Sequence, residues 1–149
     1  MIESDHTTIL LAEDDPNDVT LIQRAFRSSK LINPIQVVGD GEEVVAYLSG
    51  QPPYDDRELH PQPVLLLLDL DLPRKSGAEV LQWLRGQGPL SRMPVVVLTA
   101  SKERSDVNRA YELGANSYLV KPVQFGSLVD MVNELNLYWM ILSEHPETE

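Results

Sequence analysis

The chain has 149 residues, no cysteine and a net charge of −11, from 12 basic and 23 acidic side chains. This length fits one domain with a substantial core, and the absence of cysteine excludes disulfide and thiol chemistry. The acidic balance argues against a nucleic-acid-binding surface, and the sequence has neither a long apolar run nor a signal-peptide pattern. The lack of cysteine favours a cytoplasmic location.

The first predicted strand, Thr7–Ala12, leads directly into the acids Glu13, Asp14 and Asp15. Pro16 is a favourable first residue of a helix, and Asp15 can cap that helix. Capping explains Asp15 but not Glu13 and Asp14, since both side chains follow the strand at the carboxyl edge of the sheet. Two acids packed there repel each other unless a cation lies between them.

A second strand and helix follow. The strand is predicted at Ile35–Gly39, Asp40 and Glu43 form a capping box for the helix, and Gly50 ends it. The next segment, Gln51–Pro63, is a proline-bearing connection that exceeds the usual length of ~4–6 residues. A connection of this length indicates either a functional loop or an insertion specific to one family.

The apolar run Val64–Leu68 ends on Asp69 and is the centre of the sequence. Such a run is typical of a strand that is buried on both faces of a parallel sheet. Ligands of open α/β sheets bind outside the carboxyl ends of the strands, so Asp69 lies where chemistry usually occurs. Ser76 and Glu79 then predict a capping box for the helix that follows.

The last third of the chain repeats the pattern. Its predicted elements are a strand at Pro94–Leu98, a helix at Glu103–Leu113, a strand at Ser117–Val120 and a helix from about Gln124 to about Leu142. We expect one domain over residues 1–142, with an extended last helix, and an acidic tail over residues 143–149. The apolar stripe of the last helix is predicted to face the core: Phe125, Leu128, Val129, Val132 and Leu135.

Five strand–helix units predict an α/β fold, a doubly wound five-stranded parallel sheet with five helices. A reversal of strand order would create a crevice at the carboxyl ends of the first and third strands. Polar residues at the strand ends would converge on this edge: Glu13, Asp14, Asp69, Thr99 and Lys121. A convergence of this kind is hard to attribute to helix capping.

The chemistry of this set favours phosphoryl transfer. Three carboxylates suit a hard cation such as Mg²⁺, and an added hydroxyl and ammonium can bind phosphoryl oxygens. An aspartate can itself attack phosphorus and form an acyl phosphate. Asp69, in the middle of the edge, is the natural candidate for this nucleophile.

The sequence resembles the receiver domain of two-component response regulators, a flavodoxin-like fold with strand order 2-1-3-4-5. The resemblance extends from about Thr7 to about Leu135 and rests on these residues: Glu13-Asp14, Asp69 with Pro73, Thr99-Ala100, Tyr118 and Lys121-Pro122. It implies that Asp69 accepts a phosphoryl group from a sensor histidine kinase, with Mg²⁺ or Mn²⁺ as cofactor. It also implies a signalling protein whose only turnover is slow autodephosphorylation.

The resemblance implies a role for each site residue. The metal ligands would be Asp69, Asp14, Glu13 through water, and the backbone carbonyl of Asp71. The phosphate contacts and the switch would involve Thr99, Ala100, Lys121 and Tyr118, with Tyr118 turning into the space that Thr99 leaves. The peptide bond Lys121–Pro122 would be cis, and Asp71 and Ser101 would influence the attack of water on the acyl phosphate.

A narrower resemblance is to the stand-alone response regulators that partner cyanobacterial and bacterial phytochromes. It rests on the Gln51–Pro63 insertion, residues 68–77 and the terminal Leu137-Tyr138-Trp139. We therefore expect a phytochrome-type kinase as partner, and neither nucleic acid nor membrane. Those relatives often have Asn where this chain has Asp71, so Asp71 is expected to alter autodephosphorylation.

The apolar end of the last helix predicts an interface. We expect a symmetric homodimer through four residues: Leu137, Tyr138, Trp139 and Ile141. The alternative is that this segment packs on its own domain.

Three other functions were compared with the receiver. An apolar run followed by Asp-x-Asp is also the first motif of haloacid-dehalogenase-type phosphatases, with Asp69 as nucleophile and Asp71 as acid and base; here two strand–helix units precede it and no threonine follows it. A flavodoxin-like FMN carrier shares the strand order, but three acids after the first strand would repel its phosphate. A degenerate receiver that acts only as a scaffold is disfavoured because no site residue is missing.

Overall fold

The computed structural model describes residues 7–29, 33–100 and 103–134, which form a five-stranded parallel sheet. The strand order β2-β1-β3-β4-β5 confirms the predicted doubly wound fold. The strands are β1 (Ile9–Ala12), β2 (Ile35–Val38), β3 (Leu65–Asp69), β4 (Val95–Thr99) and β5 (Ser117–Val120). The helices are α1 (Pro16–Ser28), α2 (Gly41–Ser49), α3 (Gly77–Leu84), α4 (Arg104–Glu112) and α5 (Phe125–Glu134), and a 3₁₀ helix at Gly88–Arg92 was not predicted.

The central strand β3 has all five residues buried. Leu65 and Leu67 pack on one face with residues of α1 and α5, whereas Leu66 and Leu68 pack on the other with residues of α2 and α3. Because side chains alternate along a strand, Asp69 follows Leu67 on the face that α1 and α5 cover. The core therefore fixes the direction in which the acid at the end of β3 points.

The helix starts are capped largely as predicted. The Asp15 side chain accepts the Asn17 N–H at the start of α1, and Ser76 and Glu79 form a capping box at the start of α3. The predicted box at α2 is wrong in one half, because Glu43 Oε1 accepts the backbone N–H of Gly39, at 2.7 Å, instead of that of Asp40. Asp40 still caps this helix, through its contact with the Glu43 N–H.

The long connection between α2 and β3 is a packed loop centred on Arg57, whose role the sequence did not suggest. The Arg57 guanidinium donates to the carbonyls of Leu48 and His60 and to the side chain of Gln62, at 3.0–3.2 Å. It also lies 5.6 Å from the centre of the Tyr47 ring, within cation–π distance. Burial raises the pKa of Tyr47 to about 12, so this ring remains a neutral hydrogen-bond donor at physiological pH.

The last helix differs from prediction at its start. Phe125 was predicted to face the core, but it is 52% exposed, whereas Met131 is buried with Leu128 and Val132. The reason is that α5 begins at Phe125, ahead of the turn that first packs on the sheet. Leu135 and the predicted interface residues lie outside the described part of the chain. Within the described residues, no helix is both long and apolar enough to span a membrane.

Candidate functional site

Three carboxylates converge on one lysine at the carboxyl edge of the sheet: one follows β1, one lies in α1 and one ends β3. The Lys121 Nζ lies 2.8 Å from Glu13 Oε1, 3.2 Å from Asp18 Oδ2 and 3.2 Å from Asp69 Oδ2. The structure thus brings together three residues predicted from strand ends and adds Asp18. Asp18 lies in the first turn of α1, and sequence analysis did not assign it to the site because it follows no strand end.

Three carboxylates of this site are arranged to share a cation. Oxygen atoms of Glu13, Asp14 and Asp69 lie within 4.8 Å of one another. Glu13 and Asp69 are each only 2% exposed, whereas Asp14 is open to solvent. This set combines buried oxygens with solvent-facing ones. It matches the coordination that Mg²⁺ and Mn²⁺ prefer, in which a few carboxylates bind the ion and several waters remain bound to it.

The buried oxygen of Glu13 provides a direct test of that fit. Glu13 Oε1 is in ion-pair contact with Lys121 but accepts no hydrogen bond of good geometry. The Lys121 ammonium contacts three carboxylates, those of Glu13, Asp18 and Asp69. Asp14 lies beside Glu13 and Asp69, so one positive charge leaves most of the negative charge unbalanced. The residues present therefore fit a divalent cation.

The pKa values of Glu13 and Lys121 reflect the same excess of negative charge at the site. Burial raises the pKa of Glu13, and the contacts with Lys121 and the Asp15 N–H reverse this only in part. Burial also lowers the pKa of Lys121, but its contacts with Glu13, Asp69 and Asp18 outweigh this and place that pKa above its usual range. Lys121 is consequently a permanent cation, whereas the ionised form of Glu13 is costly without a further positive charge.

The carboxylate of Asp69 is oriented from two sides. The Asp71 N–H donates to Asp69 Oδ1 at 3.1 Å, while Lys121 contacts Oδ2. Behind the acid, α3 begins at Gly77, where an added Cβ would lie only 2.7 Å from the Cα of Leu70. Glycine is required here because the helix start touches the backbone directly after Asp69. The side chain of Asp71 is exposed.

The remaining predicted residues lie on the next two strands. Thr99 ends β4 and is 8% exposed, and it borders a cavity of about 370 Å³ that also includes Ala100, Asp71 and Asp106. Tyr118 lies on β5, with its ring in an edge-to-face contact with Tyr111 at 6.0 Å. These two tyrosines line a second groove, of about 350 Å³, between β5, α4 and α5. The Lys121–Pro122 peptide is cis, and Ser101 lies outside the described residues.

Comparisons with known proteins agree with this geometry. The family model described as "Response regulator receiver domain" matches residues 9–133. Response regulator Rcp1 of Synechocystis sp. is 39% identical over 132 residues, which cover 89% of this chain and 88% of Rcp1.

Solved structures extend the match to the fold. The bacteriophytochrome response regulator RtBRR is 44% identical with a TM-score of 0.83, over 95% of this chain and 85% of RtBRR. The Mn²⁺-bound form of Rcp1 is 38% identical with a TM-score of 0.72, over 94% of this chain and 99% of the other. The chain therefore belongs to the response regulator receiver family and is similar to the response regulators of phytochromes.

Proposed function

We propose that this protein is a phosphoacceptor that receives a phosphoryl group on Asp69 from a sensor histidine kinase and requires Mg²⁺ or Mn²⁺. The observation that carries the proposal is the placement of a nearly buried carboxylate 3.2 Å from an ammonium, beside a group of three acids. The Mn²⁺-bound relative Rcp1 supports the choice of ion. The protein would act in signalling, with autodephosphorylation as its only turnover.

The proposed transfer uses the carboxylate of Asp69 as nucleophile. One oxygen attacks the phosphorus of a phosphohistidine, the phosphorus–nitrogen bond breaks, and the released imidazole takes a proton from solvent. Lys121 is placed to pair with a phosphoryl oxygen, and the Asp71 N–H holds the acid in position. A divalent ion held by Asp14, Asp69, Glu13 through water and the Asp71 carbonyl would balance the charge on the phosphoryl group.

The signal is proposed to leave the site through β4 and β5. The Thr99 hydroxyl, at the end of the neighbouring strand, would bond a phosphoryl oxygen, with Ala100 beside it. Tyr118 lies on β5 two residues before the partner of Thr99 in the strand register. If the Tyr118 ring moves when Thr99 turns toward the phosphoryl group, the groove that Tyr118 lines with Tyr111 changes shape. A partner that binds this groove would then make different contacts with the phosphorylated and unphosphorylated protein, which is what a conformational signal requires.

We expect the kinase to be a phytochrome, as the names of the similar response regulators suggest. The test is phosphoryl transfer from autophosphorylated kinases to this chain, with phytochrome kinases and unrelated sensor kinases at equal concentration. Label should leave the phytochrome kinase within seconds and appear here as an alkali-labile acyl phosphate. Equal or faster transfer from unrelated kinases would contradict the phytochrome assignment.

We further propose a homodimer through the apolar segment after α5, on its sequence alone. Sedimentation equilibrium at micromolar concentration should give a dimer, and the double change Trp139→Glu with Ile141→Glu should give a monomer, because two buried charges oppose association. Leu59→Glu is the matched control, since Leu59 is 65% exposed in the α2–β3 connection. A monomeric wild type would contradict the proposal.

A further inference from the structure

The loop that follows Asp69 rests on the first turn of a different helix. We call residues 70–76 the β3–α3 loop. At Gly41, the first residue of α2, an added Cβ would lie 2.6 Å from the carbonyl carbon of Lys75 and 2.7 Å from its Cβ. The Gly41 N–H also donates to the carbonyl oxygen of Pro73, at 3.3 Å. Helix and loop are therefore in direct backbone contact, with no room for a side chain at Gly41.

An ion pair joins the same two segments. Arg74 has a left-handed backbone, with φ +69°, and its Nε lies 3.3 Å from Asp40 Oδ2. The other oxygen of Asp40 caps α2 by accepting the Glu43 N–H at 2.8 Å. Residues other than glycine rarely adopt this conformation, so contacts from outside the loop are needed to hold it. The ion pair with Asp40 is one such contact.

These contacts bracket Asp71. On one side, the Gly77 N–H donates to the Leu70 carbonyl at 3.0 Å; on the other, Gly41 and Asp40 hold Pro73, Arg74 and Lys75. The Asp71 side chain itself is exposed, and its backbone is placed by the hydrogen bond from its N–H to Asp69 and by the two ends of the loop. A shift of Pro73–Lys75 would be passed to Asp71 through only one intervening residue, Leu72.

We propose that Gly41, assisted by the Asp40–Arg74 ion pair, is a positioning residue for the divalent-ion site. It sets the distance between α2 and the β3–α3 loop, and thereby the place of the Asp71 carbonyl. This inference rests on the proposed function, in which that carbonyl is a metal ligand. The requirement at Gly41 is for space and not for an unusual backbone, since its φ is not among the positive values found.

The test is Gly41→Ala, with Gly39→Ala as the matched control from the same connection. An added Cβ at Gly39 would meet only Glu43 Oε1, at an ordinary 3.8 Å. Calorimetric titration with Mg²⁺ should show about 10-fold weaker binding for Gly41→Ala, the size typical of changes behind a metal ligand. Gly39→Ala should bind as the wild type does.

A second measurement separates positioning from loss of folded protein. With acetyl phosphate as donor, the Mg²⁺ concentration for half-maximal labelling should rise about 10-fold in Gly41→Ala, while the rate at saturating Mg²⁺ stays near the wild-type rate. A merely unfolded fraction would lower the rate at every Mg²⁺ concentration. That result would overturn the inference.

Arg74→Gly provides an independent variant, because glycine accepts the left-handed backbone and the change removes the contacts of Arg74 with Asp40 and with Glu42 at the start of α2. It should weaken Mg²⁺ binding in the same direction, and it decides the question if Gly41→Ala does not fold. Wild-type affinity in Arg74→Gly, or in folded Gly41→Ala, would overturn the positioning role alone. A wild-type protein that neither binds Mg²⁺ nor becomes labelled would instead overturn the proposed function and this inference with it.

Discussion

Replacement of Asp69 by asparagine is expected to lower labelling by acetyl phosphate roughly 1000-fold or more, as for the loss of other attacking groups. The amide keeps the size of the side chain and can still accept the Asp71 N–H, which lies 3.1 Å from Asp69 Oδ1. It lacks the anionic oxygen that attacks phosphorus. Labelling is measured by intact-protein mass spectrometry in the presence of Mg²⁺.

Asp71→Asn is the matched control for this experiment. It changes the same residue type two positions away, on an exposed side chain, and it keeps the backbone N–H that orients Asp69. This variant should be labelled to the wild-type level, and only the later loss of phosphate should change rate, as expected if Asp71 influences the attack of water. Labelled peptide from Asp69→Asn would contradict the assignment of the acceptor, and equal decay rates would contradict the role of Asp71.

Sequence analysis predicted the fold and the grouping of three residues at one edge of the sheet, for one geometric reason. In a parallel sheet the carboxyl ends of all strands reach the same edge, so residues that follow different strands meet without any knowledge of long-range packing. Glu13, Asp69 and Lys121 each end or follow a strand, and they lie together in the structure. The central strand was also predictable, because Pro63 and Asp69 limit the apolar run to a length that is typical of strands and short for a helix.

The residues that sequence analysis missed depend on contacts between distant segments. Asp18 lies in a helix, so whether it reaches Lys121 depends on the direction of α1 across the sheet. Arg57 is one of several charged residues in a polar loop, and only the path of the chain brings it over Tyr47. Gly41 contacts Lys75, 34 positions along the chain, and neither residue carries a local signal for that contact.

Replacement of Lys121 by methionine is expected to lower the free energy of unfolding by about 3 kcal/mol when divalent ions are removed by chelator. Methionine keeps the length and apolar stem but leaves Glu13, Asp18 and Asp69 without their shared cation. Removing one partner of a buried ion pair commonly costs about 3–5 kcal/mol. We use the lower end of this energy range because the side chains of Lys121 and Asp18 are still 15% and 23% exposed, and solvent weakens their interaction. Urea unfolding followed by circular dichroism measures the difference.

The double variant Lys121→Met with Glu13→Gln tests the cause of this loss. If repulsion among carboxylates is responsible, neutralising Glu13 should recover a large part of the lost stability, whereas lost packing of the lysine stem would not be recovered. The loss in Lys121→Met should also be smaller at about pH 5 than at about pH 8. The sign follows because burial raises the pKa of Glu13 whereas Lys121 lowers it. Without the lysine, folding favours protonated Glu13 more strongly, so the stability of Lys121→Met falls more than that of the wild type as pH rises above the ordinary pKa of glutamate.

Magnesium provides the last distinction. An ion bound at 100 times its dissociation constant stabilises a folded protein by about 2.7 kcal/mol, and it should stabilise Lys121→Met more than the wild type, because without the ammonium the acids attract a cation more strongly. The stability difference between the two proteins should therefore shrink at saturating Mg²⁺. An unchanged difference would mean that lysine and metal do not act on the same carboxylates, and the proposed metal site at Glu13, Asp14 and Asp69 would have to be abandoned.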